Sequence, residues 1–308
     1  MASRILVVWG ISVALLLQVS SAVAQKKPVI GVSLASSTNP FYVAMEKGMV
    51  AKAQELGVTL RLVRAEEDQV KQLDGLLDLV QAKVDIILIS PISSAGGTAA
   101  YEAARAAKIP VLSVARSVDP KYHVAFVGSD WIKQGERIGE WLAGKLRSGG
   151  KVGMLLGPAG ASVSIDMENG FKKVVGKRSG IRIVAGHHSA LTKADGLKLA
   201  EDMLTAVPDL HAVYAMNDEL ALGAVQAVKT AKKRVIVTGF NGVPPAVAAV
   251  KAGDLAMTIA LKPMTWGKLA VQAAVDHVKG KSLPRIVEIE TVLVDQSNVA
   301  KLTPQDLQ

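Results

Sequence analysis

Val29-Ile30-Gly31-Val32-Ser33-Leu34 carries a single polar side chain, and Asn39-Pro40-Phe41-Tyr42 follows it after a short Ser- and Thr-rich turn. An apolar, β-branched run of this length bounded by turn residues reads as a strand buried on both faces, and such a strand needs helices above and below it. The next stretch supplies one. Pro40 suits a first helical position, Phe41, Met45, Met49 and Leu56 recur at helical spacing, and Gly57 is a stop, so a helix is predicted over 40–56.

Outward from this unit the same alternation continues. Strands are predicted near 59–63, 85–90, 110–114 and 124–127, with helices near 69–82 and 95–107. In the second half, strands are predicted at 152–156, 181–185, 212–215, 235–238 and 257–260, and helices at 163–176, 193–206, 219–231 and 244–252. A helix over 262–280 and a final strand over 286–294 close the pattern. The count implies two α/β units of similar size, each a mostly parallel, Rossmann-like sheet, with no long linear linker between them.

Ahead of the first strand, Arg4, a largely apolar stretch from Ile5 to Val19 and the small residues Ala22 and Ala24 form the pattern of a cleavable export leader over residues 1–24. It is short for a membrane span, and no stop-transfer pattern follows. Its removal takes away Arg4 and no acid, so the net charge of +9 falls to +8. The basic residues are scattered and aromatics make up 4% of the chain, so no stacking platform or basic stripe for nucleic acid is present in the pattern. With no cysteine there is no disulfide framework, thiolate metal site or cysteine nucleophile. No lipobox cysteine follows the leader, so a freely diffusing periplasmic protein is expected.

Open parallel sheets bind ligands outside the carboxyl ends of their strands, which directs attention to the loops there. Catalytic patterns in them are incomplete. Gly31-Val32-Ser33-Leu34-Ala35 approaches a nucleophile elbow but ends in Ala, and the helix begins too late to present Ser33 on a sharp turn. That leaves Ser33 as a strand-end serine able to touch a ligand. His187-His188 lacks a third ligand at zinc spacing, and Gly157-Pro158-Ala159-Gly160 lacks the Lys-Ser/Thr of a phosphate loop. No catalysis, cofactor or metal is expected.

Reversible capture of a polar solute needs less: amides and a guanidinium for hydroxyl groups, and aromatic faces for C–H surfaces. Asn39, Phe41, Tyr42, Arg116, Asn217 and Asn241 supply that set. Each also has a structural reading: Asn39-Pro40 as a turn and helix cap, Phe41 and Tyr42 as core, Asn241-Gly242 as a turn.

At these residues the chain resembles the periplasmic sugar-binding proteins of the ribose-binding type, the type I fold that serves bacterial ABC importers. Asn39-Pro40-Phe41-Tyr42 resembles the family's first-loop ligand motif, and Ile109-Pro110-Val111 the strand leading to its Arg, here Arg116. Asn217-Asp218-Glu219-Leu220-Ala221-Leu222-Gly223 is the most specific match, and Gly239-Phe240-Asn241-Gly242 is similar to a Gly-Phe-Asp-Gly motif. The resemblance implies two lobes joined by a three-segment hinge, with crossings near 128–131, 260–263 and 288–292. It places 25–129 plus 262–289 in an N-terminal lobe and 130–261 plus 290–308 in a C-terminal lobe. Ligand then sits between the lobes, with Phe41 and Tyr42 stacking on it and Arg116, Asn217 and Asn241 bonding to it, and a membrane permease is the partner of what is expected to be a monomer.

The departures from that pattern bear on the ligand. Ala115 stands where ribose binders carry an Asp, Met167 where a second Arg is expected, Asn241 for an Asp, Leu261 for a Gln and Leu191 for an aromatic. A site built on hydrogen bonds discriminates strongly when partners are missing. The expected pocket is therefore less charged, with an apolar wall from Met167, Leu191 and Leu261, suited to a deoxy sugar, a polyol or a similar metabolite. A sensor of the same fold signalling to a membrane kinase or chemoreceptor is the alternative. A DNA-binding repressor fits poorly, because no helix pair precedes the first strand.

Overall fold

The computed structural model describes residues 27–93 and 97–307. The predicted leader lies outside the described residues. Six strands, β1 (Val29–Leu34), β2 (Thr59–Arg64), β3 (Ile86–Ile89), β4 (Val111–Val114), β5 (Ala125–Gly128) and β11 (Ile286–Glu288), form one sheet in the order β11-β5-β4-β3-β1-β2. A second sheet takes β6 (Gly150–Leu156), β7 (Ile181–His188), β8 (Ala212–Ala215), β9 (Ile236–Thr238), β10 (Met257–Ala260) and β12 (Val292–Asp295) in the order β12-β10-β9-β8-β6-β7. The two orders are equivalent strand for strand. All pairings are parallel except β10 with β12, where Met257 lies opposite Asp295.

Helices cover both faces of each sheet, as strands apolar on both sides require. In the first sheet, Ile30, Val32, Ile86 and Leu88 pack with Met45 and Met49 of α1 (Pro40–Leu56) and Ala270 of α9 (Pro263–Val278). The alternate residues Ile87 and Ile89 face Leu76 and Leu79 of α2 (Gln69–Gln81) and Tyr101 and Ala104 of α3 (Thr98–Ala106). In the second sheet, Val152, Met154 and Tyr214 face Ile138 and Leu142 of α4 (Trp131–Lys145) and Phe171 of α5 (Ser162–Val175). Leu155 and Val213 face Met203 of α6 (Lys193–Ala206) and Ala224 of α7 (Asp218–Thr230), and α8 (Pro244–Ala252) adds Ala246 and Val250.

Three helix pairs cross at reciprocal glycines. A Cβ at Gly48 of α1 would stand 2.0 Å from the Met264 carbonyl, and one at Gly267 of α9 2.0 Å from that of Met45. Gly135 and Gly170 make the same crossing of α4 with α5, and Gly196 and Gly223 that of α6 with α7. Here glycine permits backbones to touch, which outweighs its cost of about 1 kcal/mol within a helix.

These crossings explain the main difference from the hydrophobic pattern, in which α4 is not among the predicted helices. Gly135, Gly139 and Gly144 read locally as breakers, yet the first two lie against Met167, Phe171 and Val174 of α5. The single strand expected over 286–294 is instead two, β11 and β12, one in each sheet. The chain passes between the two halves three times, from β5 into α4, from β10 into α9 and from β11 into β12.

Candidate ligand-binding cleft

Both β5 and β10 end at a crossing, so the carboxyl ends of the two sheets adjoin the same three connections and form two rims. On the first rim, the Ser36 hydroxyl accepts the N–H groups of Thr38 and Asn39 at 3.2 and 3.1 Å, which sets the entry to α1. Asn39 is the N-cap, its Oδ1 accepting the Phe41 N–H at 2.9 Å, and its side chain is exposed.

Arg116 follows β4 after an abrupt bend. Ala115 has φ +63°, and the Arg116 N–H donates to the Val114 carbonyl two residues back at 2.7 Å, a strained γ-turn arrangement for a residue with a side chain. The guanidinium reaches across the ends of β3 and β1. It donates to Glu67 Oε2 and Oε1 at 3.2 and 3.4 Å and to the Ile92 carbonyl at 3.3 Å, and it lies 5.5 Å from the centre of the Tyr42 ring. Arg116 thus ties together the segments that follow β1, β2, β3 and β4.

On the second rim the organising charge is buried. Asn217 caps α7, accepting the Leu220 N–H at 2.9 Å and donating to the Leu191 carbonyl at 3.1 Å. One amide N–H and one lone pair remain for another partner. Beside it, Asp218 is wholly buried. Its Oδ1 accepts the Thr258 hydroxyl at 2.7 Å and its Oδ2 the Val243 N–H at 2.8 Å, while Thr258 Oγ1 accepts the Gly242 N–H at 3.2 Å. Burial pushes this carboxyl up to about 6, and those hydrogen bonds oppose the shift. Asp218 so clamps the Gly239-Phe240-Asn241-Gly242 loop, in which Asn241 has φ +120° and bridges to Ala260. The Asn241 side chain is half-buried and makes no hydrogen bond among the described residues.

Aromatic rings connect the rims. Tyr42 meets Phe41 edge-on at 5.3 Å, Phe41 meets Trp266 at 5.2 Å, Trp266 meets Trp131 at 6.0 Å, and Trp131 meets Phe240 at 6.0 Å. Five of a chain's complement of only four Phe, four Trp and four Tyr sit in this one series. Trp266 Nε1 donates to the Val127 carbonyl at 2.9 Å, and Trp131 opens α4. At the crossings, Gln134 bonds Ser129 at 2.7 Å and accepts from Thr291 at 3.3 Å, with Arg137 joining Gln134 to Thr291.

The structure therefore brings Asn39, Phe41 and Arg116 to one rim and Leu191, Asn217 and Asn241 to the other. The remaining sequence candidates are placed differently. Ser33 is buried within β1 with no hydrogen-bond partner for its hydroxyl among the described residues. Tyr42 is 3% exposed, its hydroxyl bonded to Ser90 at 2.9 Å and its ring beneath Arg116, so it supports the guanidinium instead of presenting an open face. Met167 is 0% exposed because α5 crosses Gly135 of α4 there, and Leu261 is 3% exposed in the core at the second crossing. The expected apolar wall thus reduces, at the surface, to half-buried Leu191. His188 donates from Nδ1 to the Gly157 carbonyl at 2.8 Å, tying two loops of the second half.

Glu67, Trp131 and Trp266 stand at the rims without having been singled out from the pattern, and Asp218, noted there beside Asn217, was not read as a buried anchor. Two shallow surface hollows, lined in part by Arg105, Lys108 and His123 and by Glu201, Thr230 and Lys233, contain no rim residue.

Two like-ordered α/β lobes, three crossings and facing carboxyl rims define a class of protein, and the chain belongs to it: the periplasmic binding protein domain matches residues 30–282. Within that family it is 35% identical over 272 residues to the ribose import binding protein of Bacillus subtilis, covering 88% of each chain. An ABC transporter solute binding protein of Mycobacterium smegmatis with bound glycerol has a TM-score of 0.84 at 35% identity, covering 91% of this chain and 98% of that one. One from Bacillus halodurans with bound myo-inositol has a TM-score of 0.84 at 27% identity, covering 89% and 96%.

Proposed function

We propose that this protein captures a sugar or polyol between its two lobes in the periplasm and delivers it to the membrane permease of an ABC importer. The observation that carries this reading is the pairing of facing rims, each offering planar hydrogen-bonding groups, across three connections. Relatives named for ribose import, and solved neighbours holding glycerol or myo-inositol, support the ligand class. Arg116, Asn39 and Phe41 contact the solute from a lobe of residues 25–129 and 262–289. Asn217, Asn241 and Leu191 contact it from a lobe of 130–261 and 290–308.

Binding rests on hydrogen bonds to hydroxyl groups and cover by the Phe41 edge, with lobe closure as the only conformational step and no bond made or broken. The protein acts as a monomer, without nucleic acid, and reaches the periplasm through cleavage after Ala24. Isothermal titration with D-ribose, D-allose, myo-inositol and glycerol tests the reading. Saturable binding of at least one, lost in Asn217→Ala and Arg116→Ala proteins that melt normally, is expected; flat titrations across the panel contradict it.

A further inference from the structure

Glu67 stands on the first rim, where its carboxylate pairs with Arg116. Its side chain is 46% exposed, yet two loops adopt costly backbone conformations that bring it to Arg116. Glu66 and Glu67 have φ of +54° and +57°, consecutive left-handed positions filled by residues with side chains, and Ala115 before Arg116 has φ +63°. Left-handed non-glycine residues are held only where surrounding structure over-determines them, and they gather at ligand sites. The surroundings here are visible: the Glu67 N–H donates to the Ala35 carbonyl at 2.7 Å, and Glu66 Oε2 accepts the Ser37 N–H at 3.4 Å. Two separate loops are bent so that one carboxylate meets one guanidinium.

The geometry is a side-by-side pairing in which the two carboxylate oxygens face the two terminal nitrogens of Arg116. The Ile92 carbonyl takes a further N–H, and the Tyr42 ring covers one face. What remains of Arg116 is a donor with its positive charge locally balanced. The residue before it, Ala115, contributes no charge, so the balance comes from the loop after β2, with β3 and β1 lying between. A free guanidinium is the favoured receptor for a carboxylate or phosphate, bound bidentately. A guanidinium already forked to Glu67 can still hydrogen-bond a hydroxyl, but an anion placed there meets the Glu67 charge and must displace it. Glu66 adds a second negative charge at the same edge.

We propose that Glu67 is a specificity-determining residue of the cleft, an internal anion that reserves Arg116 for uncharged solutes and excludes sugar acids and sugar phosphates of the same size. Specificity of this kind is gained by repulsion against the wrong ligand as much as by attraction to the right one. It rests on the proposed function only in taking Arg116 to face the solute.

The test is calorimetry on the full mature chain and its Glu67→Gln form, with D-ribose, D-allose and myo-inositol as neutral probes and D-ribonate as the acid. Gln keeps the shape and still accepts from Arg116 through its one amide oxygen, so the charge and one of the two acceptors are removed. The variant is expected to bind ribonate at least about tenfold tighter than the wild type does, with the gain shrinking as salt is raised. Affinity for neutral probes should change by less than about threefold. A ribonate affinity equal in the two proteins overturns the proposal, as does a parallel change for all probes, which would mark Glu67 as merely structural. Wild-type protein that prefers ribonate to every neutral probe also overturns it. Neutral binding with unchanged ribonate affinity sinks the role of Glu67 and leaves the cleft standing; ribonate gain without neutral binding sinks the neutral-solute reading and leaves Glu67 standing. Silence from both proteins toward all four probes overturns both.

Discussion

The two rims solve one problem in different dielectric settings. Both stand at the carboxyl ends of sheets with equivalent strand order, and both present polar side chains from loops that need to be held still. The first rim is braced at the surface, where Arg116 links Glu67, Ile92 and Tyr42 with its side chain 32% exposed. The second is braced from below, by Asp218 buried among Thr258, Gly242 and Val243. An exposed ion pair contributes little to folding, about 0–1 kcal/mol, and is free to act on ligand choice. A buried carboxylate with every oxygen used is a structural commitment, and removing it leaves unpaired donors in the core. The difference separates a rim braced by an exposed ion pair from a rim braced by a buried carboxylate.

Removing the buried anchor should have the largest effect. Asp218→Ala strands the Val243 N–H, frees the Asn241 loop and is expected to lower unfolding free energy by about 2–4 kcal/mol, with loss of binding, in a denaturant titration. Equal stability for this variant and the wild type would erase the contrast between rims.

Titration of the same group sharpens it. A carboxyl raised from 3.8 to about 6 contributes stability that is full below about pH 4 and lost as pH rises through about 6, because the folded state holds the proton more tightly. Several surface carboxylates, Asp68, Asp209 and Asp276 among them, are shifted down by their hydrogen bonds and act in the opposite sense. The informative quantity is therefore wild type minus Asp218→Asn. That difference should move by roughly 2–3 kcal/mol in favour of the wild type between pH 7 and pH 4; parallel curves would show that Asp218 does not titrate in this range.

On the first rim the balance of effects reverses. Arg116→Ala should weaken solute binding tenfold or more, about 1–3 kcal/mol, with a change in melting temperature of no more than a few degrees. A large melting shift with intact affinity would make Arg116 a brace and not a ligand group. Smallest of all, Glu67→Ala should alter unfolding free energy by less than about 1 kcal/mol, as measured by the same denaturant titration.

Much of this was legible in the sequence because strands buried on both faces are written as local apolar runs. The helix bounds 40–56, 193–206 and 244–252 coincide with α1, α6 and α8, each opened by a cap or proline and the first and third closed by a left-handed glycine, Gly57 and Gly253. Information carried by distant contacts was not legible. The glycines of α4 signal a break until α5 is seen to cross there, and Met167 reads as a pocket wall until the same crossing buries it. Glu67 lies 49 residues from Arg116, and no periodicity links them. Asn39 and Asn217 were visible both as caps and as candidate ligand groups, and the observed caps leave room for the second reading, since a cap uses one lone pair of the amide.

The central claim, that the rims close on an uncharged solute, is tested most directly by small-angle X-ray scattering of the mature protein with increasing sugar or polyol. The account predicts a saturable fall in radius of gyration for at least one neutral probe, absent in the Arg116→Ala, Asn217→Ala double variant. Superimposable profiles for wild-type protein with and without every neutral probe would contradict it.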